Sequence, residues 1–117
     1  MDPNHLTADT LTPDACLRLL GRTTIGRVVY TRHALPVVLP VRFRLDYSGA
    51  VVLAAPPGTQ LAERVDGSIV AFQAEELDPA TLRGHSVMLH GRAEALDDGE
   101  ELRLVPQMLC GTVLVGA

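Results

Sequence analysis

Apolar and polar residues alternate most regularly over residues 35–45, and this stretch predicts a β-strand with two chemically different faces. Every second position is apolar, namely Leu35, Val37, Leu39, Val41, Phe43 and Leu45. The positions between them are Pro36, Val38 and Pro40, followed by Arg42 and Arg44. Because successive side chains of a strand point to opposite faces, one face is wholly apolar and the other ends in two cations. This pattern predicts the wall of a barrel with an anion-facing rim.

The rest of the chain divides into short elements. Thr12 is a favourable N-cap and Pro13 a favourable first residue for a helix that Gly21 can end. A second short helix, capped by Thr59, is predicted to run to about Val65, and one helical turn is predicted at residues 100–104. From their β-forming residues, the remaining strands are predicted at residues 23–31, 50–55, 68–76, 84–97 and 105–115, with Gly111 as a bulge.

Strands outnumber helices, so the fold class is mainly β with one or two short helices. Six short strands cannot all keep both faces in water, and closure into a small barrel removes their exposed edges. Side chains fill the inside of such a barrel, so a ligand would bind on its rim or between subunits. We expect residues 1–11 to form a leader and residues 12–117 to form a single domain.

Composition and charge narrow the function classes. The 117 residues carry a net charge of −4 and no lysine, which argues against nucleic-acid binding. Any bound phosphate must therefore be held by arginine, hydroxyl or backbone N–H groups. No apolar stretch approaches the ~18 residues that span a bilayer, and the N-terminus has no signal-peptide pattern. We expect a cytoplasmic protein without a membrane partner.

Several candidate chemistries are disfavoured by spacing. His85 and His90 are five residues apart, which places them on opposite faces of one strand and disfavours a shared metal. Ser86 beside His85 lacks a nucleophile elbow and an orienting acid, so a hydrolase is disfavoured. We expect Cys16 and Cys110 to be small buried residues in a reducing compartment. The acidic pairs at residues 75–76 and 97–98 are expected in solvated turns.

Arg42 and Arg44 leave two interpretations open. They could form a solvated or salt-bridged outer face, or they could clamp an anion with their planar guanidinium groups. The nearby sequence Pro57-Gly58-Thr59 favours the anion clamp, because glycine permits close backbone approach and threonine offers a hydroxyl.

An ordered set of motifs resembles the pyridoxamine 5′-phosphate oxidase-like, FMN-binding split-barrel family, in particular its small actinobacterial members. The resemblance runs from Cys16 to Leu96. It rests on these pieces in order: Leu19-Leu20-Gly21-Arg22, Ile25-Gly26-Arg27-Val28, Pro36-Val37-Val38-Leu39-Pro40-Val41, Pro57-Gly58-Thr59-Gln60-Leu61, Ser68-Ile69-Val70-Ala71-Phe72, Gly84-His85-Ser86-Val87 and Gly91-Arg92-Ala93-Glu94. The order and spacing of the pieces carry the resemblance.

The resemblance implies a six-stranded split β-barrel of Greek-key type that forms a homodimer with two flavin sites at the interface. It implies that the flavin performs hydride transfer on a small-molecule substrate. The implied FMN-binding residues are Pro40, Val41, Arg42 and Phe43 along the ring, Pro57, Gly58, Thr59 and Gln60 at the phosphate, and His85, Ser86 and Val87 closing the site. No catalytic acid or base is assigned, although an imidazole such as that of His85 can act near neutral pH.

This chain departs from the family pattern at three places. Gln60 stands where lysine is common, His85 stands where tryptophan is frequent, and residues 97–103 are all that remains of a longer segment. Arg42, Arg44 or Arg64 could supply the charge that Gln60 lacks. These departures keep three alternatives open: a non-catalytic cofactor-binding or structural barrel, a deazaflavin-dependent reductase, and a haem-binding protein.

Overall fold

The computed structural model describes residues 11–114, which form a closed antiparallel barrel of six strands with two short helices. In chain order the elements are α1 (Pro13–Arg22), β1 (Ile25–Arg32), β2 (Leu35–Leu45), β3 (Val51–Ala54), α2 (Leu61–Val65), β4 (Ile69–Asp78), β5 (Arg83–Leu96) and β6 (Glu101–Leu114). The order around the barrel is β1-β2-β3-β6-β5-β4. The mainly β, six-stranded split barrel predicted from the sequence is confirmed.

The inward faces of the strands form the core. On β2 the predicted alternation holds towards the end of the strand, with Val41 and Phe43 buried and Arg42 and Arg44 exposed, whereas Leu35 at its start is exposed. The Phe43 ring meets the ring of Phe72 on β4 edge-on, with centroids 4.8 Å apart. The two aromatic rings therefore join β2 and β4, the two neighbours of β1, inside the barrel, in a geometry that aromatic pairs prefer.

The barrel closes through a narrow contact between β1 and β4. Only Arg27–Val29 pairs with Ala71–Gln73, whereas β1 pairs with β2 along its whole length. Gly26 lies just before this closure, and a Cβ atom at that position would overlap the Phe72 ring. Glycine is therefore needed here for the close approach of β1 to the core.

The first helix begins as predicted and ends later. The Thr12 hydroxyl accepts a hydrogen bond from the Ala15 N–H at 3.2 Å, which is the expected N-cap contact. The helix continues through Gly21 to Arg22, so the predicted end at Gly21 is wrong. The Thr23 hydroxyl donates to the Leu19 carbonyl at 2.9 Å and satisfies a free carbonyl of the last turn, so no glycine cap is needed.

The second helix ends at Val65 as predicted, but its predicted cap is wrong. It begins at Leu61 after Gln60, because the Thr59 hydroxyl donates to the Pro56 carbonyl at 2.7 Å and closes a turn instead. Gln60 follows with a left-handed backbone, φ 54°, and serves as the N-cap residue. The five residues of α2 bury Leu61, Ala62 and Val65 against the barrel.

The last strand begins earlier than predicted. The helical turn expected at residues 100–104 is wrong, because Leu102 and Leu104 are fully buried at every second position and continue β6 from Glu101. A short 3₁₀ turn at Asp97–Gly99 precedes it.

The predicted bulge at Gly111 is also wrong. The ladder shifts near the middle of β6, where Met108 faces His90 and Pro106 faces Gly91. Gly111 is required instead by helix α1, since a Cβ atom there would lie 2.6 Å from the Cys16 Sγ atom.

The predicted leader lies outside the described residues except for Leu11. Its N–H donates to the Gly111 carbonyl at 2.9 Å, which ties the start of the described chain to β6. Neither of the described helices is long and apolar enough to cross a membrane.

Candidate functional site

A pocket of about 320 Å³ opens between the first two strands and the segment that follows β3. We call it the Arg42 pocket, because that guanidinium is the only charged group among its lining residues. The other lining residues are Ile25, Pro40, Val41, Ala54, Ala55, Pro56 and Pro57. The site thus combines mostly apolar walls with a single positive charge.

The strand register explains how these side chains meet. Ile25 and Arg42 are directly paired across β1 and β2, so both project from the outer face of the barrel. Pro56-Pro57 follows β3 and ends its pairing, since proline donates no backbone hydrogen bond. The alternation of β2 turns Phe43 into the core, and Phe43 is not among the residues that line this pocket.

The two arginines of β2 have different surroundings. The Arg44 Nη2 atom lies 3.7 Å from the Glu101 Oε2 atom, so Arg44 follows the salt-bridged interpretation. Within residues 11–114, no carboxylate lies within ion-pair distance of Arg42. Arg42 is therefore the cation that remains available to a ligand in the pocket.

A second cavity, of about 540 Å³, lies on the other side of the Pro57–Gln60 turn. We call it the turn groove. Glu63, Asp98 and Glu100 line it, and no arginine does. Its carboxylates oppose an anion at this side of the turn, so the electrostatics favour an anionic group on the side of Arg42.

A residue of the turn, Gln60, binds the guanidinium group of Arg64. The Gln60 Oε1 atom accepts a hydrogen bond from the Arg64 Nη2 atom at 3.3 Å. A guanidinium therefore lies beside Gln60, the position at which lysine is common in the family. The Thr59 hydroxyl already donates to Pro56 and also accepts, at 3.4 Å, from the Leu61 N–H. Helix α2 is too short for its own dipole to add much to anion binding.

The structure separates the predicted site residues into two groups. Pro40, Val41, Arg42 and Pro57 meet in the Arg42 pocket, and Gly58 and Gln60 line the adjoining turn groove. The predicted residues of β5 lie elsewhere in the same protomer, as the lining of both cavities shows.

Each predicted residue of β5 has its own surroundings. Val87 is fully buried in the core, and the Ser86 hydroxyl on the outer face accepts from the Gln73 Nε2 atom at 2.9 Å. His85 pairs across the ladder with Glu76, whose carboxylate is held by two hydrogen bonds from Arg22 at 2.8 and 2.9 Å. These hydrogen bonds lower the Glu76 pKa below its usual value.

The outer face carries a polar network that the sequence patterns did not predict. The Arg27 guanidinium donates to the Gln73 Oε1 atom at 2.9 Å and forms an ion pair with Glu75 at 3.3 Å. The expectation that Glu75 and Glu76 lie in a solvated turn is therefore wrong, since both belong to β4 and pair with arginines. Their partners are distant in sequence, so no local signal identifies them. Residues 97–98 do lie in an exposed turn.

The two cysteines differ in exposure. Cys16 is buried, as expected, and this burial raises the pKa of its thiol. Cys110 is exposed on β6, so the expectation of a second buried cysteine is wrong.

The sequence profile described as pyridoxamine 5′-phosphate oxidase matches residues 12–113 of the chain. The chain is also similar to the uncharacterized protein Rv0080 of Mycobacterium tuberculosis (strain ATCC 25618 / H37Rv). The two are 36% identical over 101 residues, covering 82% of this chain and 66% of that protein. The chain thus spans slightly less than two thirds of that relative's length.

Two solved structures share the fold. An FAD binding protein from Mycobacterium smegmatis superposes with a TM-score of 0.78 at 25% identity, covering 90% of this chain and 96% of that one. An FAD-binding protein from Mesorhizobium loti gives a TM-score of 0.73 at 18% identity, covering 89% of this chain and 96% of that one.

Proposed function

The chain belongs to the pyridoxamine 5′-phosphate oxidase family, since the family profile covers residues 12–113, and on this premise we propose that it is a flavin-binding oxidoreductase. The observation that carries the proposal is the Arg42 pocket, with its apolar walls and its single unpaired guanidinium among the described residues. A bound flavin would supply hydride transfer to or from a small-molecule substrate.

The residues of the pocket fit such a ligand. A flavin ring is flat and largely apolar, which suits the walls formed by Ile25, Pro40 and Pro57. Arg42 would place a positive charge beside the ring and would favour its acceptance of electrons. The prolines would exclude water from one face. Oriented side chains and local charge are the contributions that a protein makes to a cofactor reaction.

We propose FMN as the cofactor, with its phosphate at the Pro57–Gln60 turn. Gln60 would contribute an amide donor, and Arg64, hydrogen-bonded to it at 3.3 Å, would contribute the charge. Gln60 shares the turn groove with Glu63, Asp98 and Glu100, so the charge of Arg64 would also offset the repulsion between these carboxylates and the phosphate.

We further propose that two copies of the chain complete each site. Ile25, 56% exposed, and Val38, 58% exposed, project from the outer face near the pocket, and a second copy would cover them. Ser86 of the same protomer does not line the pocket, so a copy of this side chain could reach the ring only from the partner.

FAD is the second candidate cofactor. The M. smegmatis structure at 25% identity is that of an FAD binding protein. The turn groove of about 540 Å³ adjoins the same turn, and its carboxylates could accept hydrogen bonds from ribose hydroxyl groups or from the adenine amino group. A deazaflavin coenzyme with an anionic tail fits this groove less well.

A titration tests the proposal. Purified protein is titrated with FMN, FAD and the deazaflavin coenzyme in turn, while flavin fluorescence and the absorption spectrum are recorded. We expect FMN fluorescence to be quenched at one equivalent per chain. If FAD binds more tightly than FMN, FAD is the cofactor. If none of the three compounds binds, the proposal is contradicted and the structural-barrel alternative is favoured. Binding without reduction by a hydride donor would favour the non-catalytic alternative.

A further inference from the structure

Four side chains with sulfur or nitrogen donors form a square on the outer face of β5 and β6. The ladder pairs Met88 directly with Cys110 and His90 directly with Met108. Met88 and His90 are two residues apart on β5, as are Met108 and Cys110 on β6. All four side chains therefore project from the same side of the sheet. We call this group the soft-donor square.

The spacing of the square suits a single ion. Directly paired Cβ atoms lie about 4.5–5.5 Å apart, and side chains two positions apart on one strand are separated by roughly 7 Å. The centre of the square is then roughly 4 Å from each Cβ atom. A cysteine sulfur, a methionine sulfur and an imidazole nitrogen can each reach an ion above that centre.

The four donor side chains are at least partly exposed to solvent, and their donor atoms are not engaged by other side chains of the described residues. Met88 is 45% and Met108 62% exposed, although methionine is normally a core residue, and Cys110 is exposed as well. His90 is half-buried. Within residues 11–114, neither its imidazole nor the Cys110 thiol forms a hydrogen bond or an ion pair. The chain has three methionines, and the two that follow Met1 both lie in this square.

The donor set selects one class of metal. Thiolate and thioether sulfur prefer soft ions such as Cu(I), whereas zinc takes cysteine, histidine and carboxylate ligands. Only Cys110 and His90 could serve zinc here. Among the described residues, no three or more His, Cys, Asp or Glu side chains are grouped to hold a metal. The two methionines therefore complete the site only for a soft monovalent ion.

We propose that the soft-donor square binds one Cu(I) ion per chain, through the Cys110 thiolate, the His90 imidazole and the thioethers of Met88 and Met108. Binding forms a copper–sulfur bond at Cys110 and releases the thiol proton to solvent, with no change in oxidation state. The four donors are not among the residues that line the Arg42 pocket. Around the barrel, β5 lies two strands from β1, and β6 lies two strands from β2.

A competition titration tests the site. Under anaerobic, reducing conditions, the metal-free protein is mixed with the coloured Cu(I)–bicinchoninate complex, and the loss of colour measures transfer. We expect transfer of one equivalent per chain. Cys110→Ser and His90→Gln should each weaken binding by about tenfold or more, because each removes a ligand. The double variant Met88→Leu/Met108→Leu, which keeps the apolar bulk, should also weaken it by about tenfold.

Cys16→Ala is the matched control, because it removes the other thiol of the chain, which is buried. It should leave the Cu(I) affinity unchanged. The proposal is overturned if no Cu(I) is transferred, if Cys16→Ala weakens binding as much as Cys110→Ser, or if the double leucine variant binds like the original protein. Zn(II) binding as tight as Cu(I) binding would also overturn it. Flavin titration of His90→Gln should be unchanged, because His90 lies four residues from Ser86 along β5 and does not line the Arg42 pocket, so the two proposals fail separately.

Discussion

Arg42 and Arg44 differ through one neighbour. Both project from the same face of β2, yet only Arg44 has a carboxylate, that of Glu101, at 3.7 Å. An exposed ion pair of this kind stabilises a protein by little, but it occupies the guanidinium. Arg42 stands beside apolar walls instead, where its charge is available to a ligand and less screened by water.

This difference gives a matched pair of variants. Arg42→Gln should weaken flavin binding by about tenfold or more, because a hydrogen bond from a charged group contributes roughly 1.5–3 kcal/mol. Arg44→Gln, on the same strand face, should change the affinity by less than about twofold. Fluorescence titration measures both. Equal losses in the two variants would indicate a general surface potential rather than a site at Arg42.

For single residues, the sequence predicts whether a side chain points into or out of the barrel better than it predicts which side chains it contacts. The alternation over residues 35–45 was sufficient to place Arg42 and Arg44 outside and Phe43 inside, because strand geometry is local. It could not distinguish the two arginines, since Glu101 is 57 residues from Arg44 in sequence and meets it only through the pairing of β3 with β6. The same holds for the square of Met88, His90, Met108 and Cys110, which depends on the register of two strands.

At the scale of elements, two glycines in neighbouring elements should respond in opposite ways to alanine. Gly26→Ala should destabilise the protein by about 1–3 kcal/mol, because the new methyl group overlaps the Phe72 ring in a packed core. Gly21→Ala should stabilise it by about 0.5–1 kcal/mol, because Gly21 lies within α1 and a Cβ atom added there would be 3.9 Å from its nearest neighbour, an ordinary contact distance. Urea unfolding midpoints compare them, and a neutral Gly26→Ala would contradict the close approach of β1 to the core.

The turn between β2 and β3 should make stability depend on pH at its acid end. Hydrogen bonds from Ser48, Ala50 and Arg103 lower the Asp46 pKa from 3.8 to about 2. Because the folded value is the lower one, the carboxylate stabilises the fold above about pH 4, and this contribution is lost as the pH falls through about 2.

Asp46→Asn should therefore lower the melting temperature at pH 6, and the difference from the original protein should shrink between about pH 4 and pH 2. Ser48→Ala should reproduce part of the effect, since the Ser48 side chain is the largest cause of the shift. Thermal unfolding followed by circular dichroism measures both. A difference that stays constant down to pH 2 would show that Asp46 acts through packing rather than charge.

The ends of elements were harder to predict than their existence. Thr12 was identified as an N-cap because its hydroxyl acts within one helical turn. The start of β6 was missed because Asp97–Gly99 and Glu101 are polar, and only the burial of Leu102 and Leu104 in the barrel core makes the segment a strand. Tertiary packing, which a sequence pattern does not contain, decides such boundaries.

At the scale of the whole molecule, closure of the barrel fills the interior with side chains and leaves ligands to the outside. The predicted site residues of β2 and of the Pro57–Gln60 turn meet there, whereas those of β5 do not join them in one protomer. The resemblance to a family supplied both groups from the sequence, but the distance between them around the barrel is a property of the strand order. In the proposed dimer, the second copy would bring the two groups together.

The dimer proposal predicts different outcomes for two exposed apolar residues. Val38, 58% exposed, lies on the outer face near the Arg42 pocket, whereas Tyr47 lies fully exposed in the turn between β2 and β3. By light scattering at micromolar concentration, we expect the original protein and Tyr47→Glu to be dimers. Val38→Glu should be a monomer, because a buried unpaired charge opposes association, and it should bind flavin at least about tenfold more weakly. If Val38→Glu remains a dimer, or if its monomer binds flavin as tightly as the dimer does, each site is complete within a single chain.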